Sequence, residues 1–150
     1  MRKIFLVLFS IIAFAISPAK GQSYHYSAGL TIGPAVGINV SAFLTTTSSI
    51  ETSVSYNTIH DAPMVTALYR YHMSIIDDLD FYGGGGVNMG AYNLGHHADT
   101  KFAIGIDPVV GFEYAFPDIP LAIAIDYKPT INLSCKSMWE EVGLKVKYLF

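Results

Sequence analysis

The chain has 150 residues, of which 51% are hydrophobic and only 14% charged, with a mean hydropathy of +0.38. High apolar content with low charge excludes an intrinsically disordered protein. Nine Lys and Arg against twelve Asp and Glu give no sign of a nucleic-acid binder, and a single cysteine, Cys135, excludes an intramolecular disulfide and a multi-cysteine metal cluster.

The first element is a leader. Met1-Arg2-Lys3 precedes an apolar stretch from Ile4 to Ile16, broken only by Ser10, and Ser17-Pro18-Ala19-Lys20-Gly21 follows. A basic start, a short apolar core and small residues at its end are the three parts of a secretory signal peptide. The core is short for a bilayer-spanning helix, so residues 1–21 are expected to be a cleavable signal peptide, with a retained anchor helix as the alternative. No cysteine follows the leader, which argues against a lipid-anchored lipoprotein. The leader holds Arg2, Lys3 and Lys20 but no acid, so residues 22–150 are more acidic than the whole. Past it, no apolar run approaches the roughly 18–20 residues of a transmembrane helix.

From Tyr24 onward the hydrophobic period is two. Alternate side chains of an extended strand point to opposite faces, so each such run predicts a two-faced strand. Tyr24, Tyr26, Ala28, Leu30 and Ile32 form the first, and Val36, Ile38, Val40, Ala42 and Leu44 the second. Gly33-Pro34-Ala35 between them predicts a tight turn, with a single bent strand over 24–44 as the alternative. Ile50, Thr52, Val54 and Tyr56 alternate with Glu51, Ser53 and Ser55; Val65, Ala67, Tyr69, Tyr71, Met73 and Ile75 share the next apolar face. Leu79 to Asn93 is Gly-rich, with Leu79, Phe81, Val87 and Met89 on its apolar side. The sixth run is Phe102 to Phe116, the seventh Leu121 to Leu133, and the last Val142, Leu144, Val146, Tyr148 and Phe150. The count is eight strands of roughly 9–15 residues, the length of a tilted membrane-spanning strand. Short turns at Thr45–Ser49, Ile76–Asp78 and Pro117–Pro120 belong to the side of the termini.

The second face of these strands decides between a soluble and a membrane barrel. It carries most of the glycines together with Glu51, Asp80, Asp107, Glu113 and Asp126, the cations Arg70, Lys128, Lys145 and Lys147, and His72. The apolar face carries no Lys, Arg, Asp or Glu within the strands. Small residues and a nearly balanced set of charges suit the narrow interior of an eight-stranded barrel, where buried charges persist only when paired. The expected fold is an all-β, eight-stranded antiparallel up-and-down transmembrane β-barrel whose lumen those ten residues fill as an ionic network. Aromatics near the strand ends, among them Tyr24, Tyr56, Phe102, Trp139 and Phe150, fit interfacial girdles.

The leader, the eight alternating strands and the final Gly143-Leu144-Lys145-Val146-Lys147-Tyr148-Leu149-Phe150 resemble the small eight-stranded outer-membrane β-barrels of Gram-negative bacteria, the OmpA/OmpX-like proteins. The resemblance implies that Gly143, Leu144, Val146, Tyr148 and Phe150 form a C-terminal assembly signal. It implies barrel assembly machinery and periplasmic chaperones as partners, and outer-membrane lipid as the surroundings. Glu141 departs from that pattern, where an uncharged or basic residue is more usual, and short loops leave little scope for an adhesive surface.

Other chemistry is thinly marked. His96, His97 and Asp99, with His60 and Asp61 on another loop, lack the fixed convergence a metal site needs. Gly83-Gly84-Gly85-Gly86 lacks the Lys-Ser/Thr and the helix of a phosphate cradle, and suits close strand approach instead. Asp107, Glu113 and Asp126 could in principle form an acid–base pair, but no nucleophile constellation accompanies them. The sequence therefore predicts a monomeric outer-membrane protein with a structural or surface-interacting role, no catalysis, no cofactor, no metal and no nucleic-acid partner. The alternatives are a narrow small-solute channel and a soluble periplasmic ligand-binding barrel.

Overall fold

The computed structural model describes residues 24–92, 101–134 and 136–150. The leader, the His96-His97-Asp99 loop and Cys135 lie outside the described residues. The strands are β1 Tyr26–Ile32, β2 Ala35–Phe43, β3 Ser48–Asn57, β4 Ala62–Ile76, β5 Leu79–Tyr92, β6 Lys101–Ala115, β7 Leu121–Tyr127, β8 Ile131–Asn132 and β9 Val142–Leu149. Residues 24–44 form two strands: β1 and β2 pair across Leu30↔Ile38 and turn at Gly33-Pro34.

All pairings are antiparallel. β1 to β6 pair in chain order, β9 joins β7 to β1 through Ile123↔Val146 and Leu30↔Val146, and the circle is complete. β7 and β8 are two pieces of one barrel strand, both paired with β6 through Val110↔Tyr127 and Ile106↔Ile131. The ladder lapses between them, where Pro129 has no N–H to contribute. The barrel therefore has eight strand positions and no free edge, which satisfies the backbone groups that an open sheet would leave unpaired.

Side chains follow the period of two. Leu30, Ile38, Val54, Val65, Val87, Ile104, Ile123 and Val146 point outward and are exposed, whereas Asn39, Glu51, Arg70, Asn88, Asp107, Glu113, Asp126, Lys145 and Lys147 point inward and are buried. This is the reverse of a water-soluble sheet. Apolar residues inside are few: Ala62, Met64, Ala103 and Met138 in one cluster, and Leu68, Tyr82, Val109 and Ala124 in another.

The glycine run belongs to the wall of the barrel. A Cβ on inward-facing Gly84 or Gly86 would collide with the carbonyl oxygens of Tyr69 and Ala67 across the ladder, because β5 lies tightly against β4 at Leu68↔Gly86 and Arg70↔Gly84. Gly86→Val is expected to destabilise the barrel by on the order of 3 kcal/mol, since neither strand can move without breaking its other pairing. Loss of the compact, fast-migrating form on unboiled gels would register it; unchanged migration would refute the close-approach account.

Candidate functional site

The site is the lumen, and Glu51 is its hub. Alternation on β3 sends Glu51 inward, opposite cations that β4 and β9 deliver at the same depth. Its Oε2 meets Arg70 Nη1 at 2.9 Å and Lys147 Nζ at 3.2 Å, while Oε1 meets Lys145 Nζ at 2.5 Å. Ser41 Oγ donates to Glu51 at 3.2 Å and accepts from Arg70 Nη2 at 3.0 Å. Lys145 also reaches Asp126 at 2.6 Å, and Lys147 reaches Glu113 at 2.7 Å. Tyr82 supports this layer from β5: its hydroxyl donates to Asp126 at 3.0 Å, and the Arg70 guanidinium lies 5.0 Å from its ring centre. Such a group of charges is tolerable without bulk water only because each acid has a cation within contact distance.

A second cluster lies toward the mouth away from the termini. Lys128, just beyond β7, is 3.2 Å from Glu141 and 3.6 Å from Asp107. Asp107 Oδ1 accepts from Asn88 Nδ2 at 2.5 Å and from Thr130 Oγ1 at 2.8 Å, and Asn57 Nδ2 donates to Glu141 at 2.9 Å. Met138 folds back over this cluster through a Thr130↔Met138 bridge and packs on Ala62, Met64 and Ala103. Between the clusters is a cavity of about 30 Å³, lined by Ser53, Ser55, Glu51, Lys145, Lys128 and Glu141 among others. That volume admits about one or two waters.

Aromatics close the mouth on the side of the termini. Tyr24 meets Phe43 edge-on at 5.2 Å, Phe43 lies 4.9 Å from His72, and His72 lies 5.3 Å from Tyr82. The Tyr24 hydroxyl donates to Glu113 at 3.2 Å. Its burial, with Glu113 beside it, pushes that hydroxyl well above the ordinary phenol range and keeps it a donor. Ser49 Oγ is 2.9 Å from His72 Nε2. Ser49, His72 and Asp80 are the residue types of a hydrolytic triad, yet Ser49 is fully buried and His72 Nδ1 stands 4.0 Å from Asp80, outside hydrogen-bond reach. The arrangement caps the mouth.

The lumen thus gathers Glu51, Arg70, Glu113, Asp126, Lys145 and Lys147 into one network, and Asp107 with Lys128 into another. Asp80 lies apart at the β4–β5 turn, half-buried, accepting from Ser74 Oγ at 2.7 Å. His72 contacts Ser49 and the aromatic cap. In the C-terminal octet Gly143, Lys145 and Lys147 face inward; Leu144, Val146 and Tyr148 face outward, and Phe150 meets Tyr148 and Tyr26 at 6.1 and 6.4 Å. Sequence reasoning missed three contributors. Glu141 was set aside as a departure from a family pattern, although it keeps the parity of Gly143, Lys145 and Lys147. Tyr82 keeps the parity of Gly84, Gly86 and Asn88. Tyr24, assigned to a girdle, turns into the mouth because β1 begins only at Tyr26. Among the described residues, no three His, Cys, Asp or Glu side chains converge as metal ligands.

No protein-family model and no curated protein matches the sequence. Among solved structures, the chain is similar to the N-terminal β-barrel domain of OprF from Pseudomonas aeruginosa, with a TM-score of 0.71 and 17% identity over 86% of this chain and 100% of that domain. At that identity the likeness is one of architecture: this chain folds as an all-β, closed, eight-stranded antiparallel barrel of the kind seen in the OprF domain.

Proposed function

We propose that the protein is an integral outer-membrane β-barrel with a side-chain-filled lumen and a structural or surface-interacting role, without catalysis. The observation that carries this reading is the division of its side chains. Outward positions of the long strands are apolar apart from Thr52, while Arg70, Lys145, Lys147 and their acids are buried inside. Water would penalise that outer face, whereas hydrocarbon favours it and tolerates a barrel because every ladder is closed. The basic-apolar-small leader at residues 1–21 supports export as a cleaved signal peptide, and the octet ending at Phe150 supports handling by barrel assembly machinery and periplasmic chaperones. A monomer surrounded by lipid fits an outer wall that is apolar on all sides.

Cells expressing the full chain are expected to carry the shortened product in the outer-membrane fraction, with migration that changes on boiling. Recovery in the soluble periplasmic fraction would overturn the proposal and favour a ligand-binding barrel. Purified protein in planar bilayers is expected to give no large step currents, because the Glu51 hub and the Met138 segment both cross the lumen; large steady steps would favour the small-solute channel instead.

A further inference from the structure

The two ionic clusters differ in balance. In the hub, Glu51, Glu113 and Asp126 are matched by Arg70, Lys145 and Lys147, an acid for every base. In the other, Asp107 and Glu141 share one cation among the described residues, Lys128, at 3.6 and 3.2 Å. Thr130 Oγ1 stands between the two carboxylates, 2.8 Å from Asp107 and 3.5 Å from Glu141, and its single proton serves one of them. The other described side chains that contact the pair or cover it are neutral: Asn57 from β3, Asn88 from β5 and Met138 from the segment before β9. Lys145, across the cavity, is engaged by Glu51 and Asp126.

Independent of charge, this end of the lumen leaves buried polar atoms unserved. Asp107 Oδ2, Asn88 Oδ1 and Ser55 Oγ are buried without a hydrogen-bond partner among the described residues. Asp107 is 0% and Asn88 2% exposed, and Ser55, at 9%, lines the cavity beside Glu141 and Lys128. An excess buried negative charge and two unserved acceptors, Asp107 Oδ2 and Asn88 Oδ1, ask for the same thing, a positive centre. We propose that the Asp107–Glu141 pair is a binding site for one unit of positive charge, taken up as a proton on a carboxylate or as an alkali-metal cation beside Asp107 Oδ2 and the cavity.

The test uses the mature protein folded in detergent micelles at neutral pH. Infrared spectra report a protonated carboxyl by its carbonyl band. Urea unfolding in sodium, potassium or tetramethylammonium chloride at equal ionic strength reports a size-selective cation site. If the charge is a proton, the wild type shows the carbonyl band and both Asp107→Asn and Glu141→Gln lose it. If it is a metal cation, the band is absent and the unfolding midpoint rises in sodium or potassium over tetramethylammonium, a difference lost in Glu141→Gln. Asp80→Asn, a carboxylate at the opposite mouth and outside the cavity lining, is the control and leaves either signature in place. A wild type with neither signature overturns the proposal, and so does a band or a cation effect that survives both Asp107→Asn and Glu141→Gln.

Discussion

Glu51→Ala is expected to destabilise the folded barrel by about 3–5 kcal/mol, the usual cost of removing one partner from a buried ionic group. The effect is large because one carboxylate serves three cations. Without it Arg70 keeps only Ser41 and the Tyr82 ring, and Lys145 and Lys147 fall back on Asp126 and Glu113. The hub then holds a net positive charge that water cannot readily reach. Urea unfolding in lipid vesicles measures the change. A double variant, Glu51→Gln with Lys145→Met, removes a charge of each sign and is expected to recover part of the loss, because the penalty is charge imbalance more than lost packing. A loss below about 1 kcal/mol for Glu51→Ala, the range of exposed ion pairs, would mean that the hub is hydrated and open.

Ile38→Arg should cost about 2–4 kcal/mol if the outer wall faces lipid, and almost nothing if it faces water. Ile38 is 58% exposed and sits mid-strand on β2 between outward Leu30 and Val54. An arginine there cannot reach the lumen, since the pleat sends its side chain outward, nor either rim without strain. Tyr26→Arg is the depth control. Tyr26 lies at the start of β1, in the aromatic group of Phe150 and Tyr148, where an arginine reaches the interface and costs about 0–1 kcal/mol. Equal effects at both positions would contradict a membrane-spanning orientation.

Most of the wall was legible in the sequence because strand geometry has a period of two, so parity alone separates Leu30, Ile38 and Val146 from Asn39, Lys145 and Lys147. Parity carries no information about depth, which is why the lumen was read less well. Asp80 has an inward parity, yet it accepts from Ser74, while Glu113, its ladder partner on β6, takes Lys147. Tyr82 and Leu68 share the inward parity, but parity does not say what an apolar side chain meets in a charged lumen; inside, they pack in one buried cluster with Val109 and Ala124. Glu141 keeps the inward parity of Gly143 and Lys145 but lies before the first ladder residue of β9, and only the fold brings it to Lys128 and Asn57. The break between β7 and β8 has a plain signal in Pro129, which the alternation of Leu121 to Leu133 masked. Which acid meets which cation depends on the stagger of non-neighbouring strands, such as β3 against β9 across the lumen, and that is set by barrel closure.

Folding the denatured mature chain with and without lipid vesicles decides whether an apolar wall that needs lipid surrounds a lumen sealed by charge. A compact, protease-resistant species, shifted on unboiled gels, is expected only when vesicles are present. A stable, folded, soluble monomer in plain buffer would contradict it.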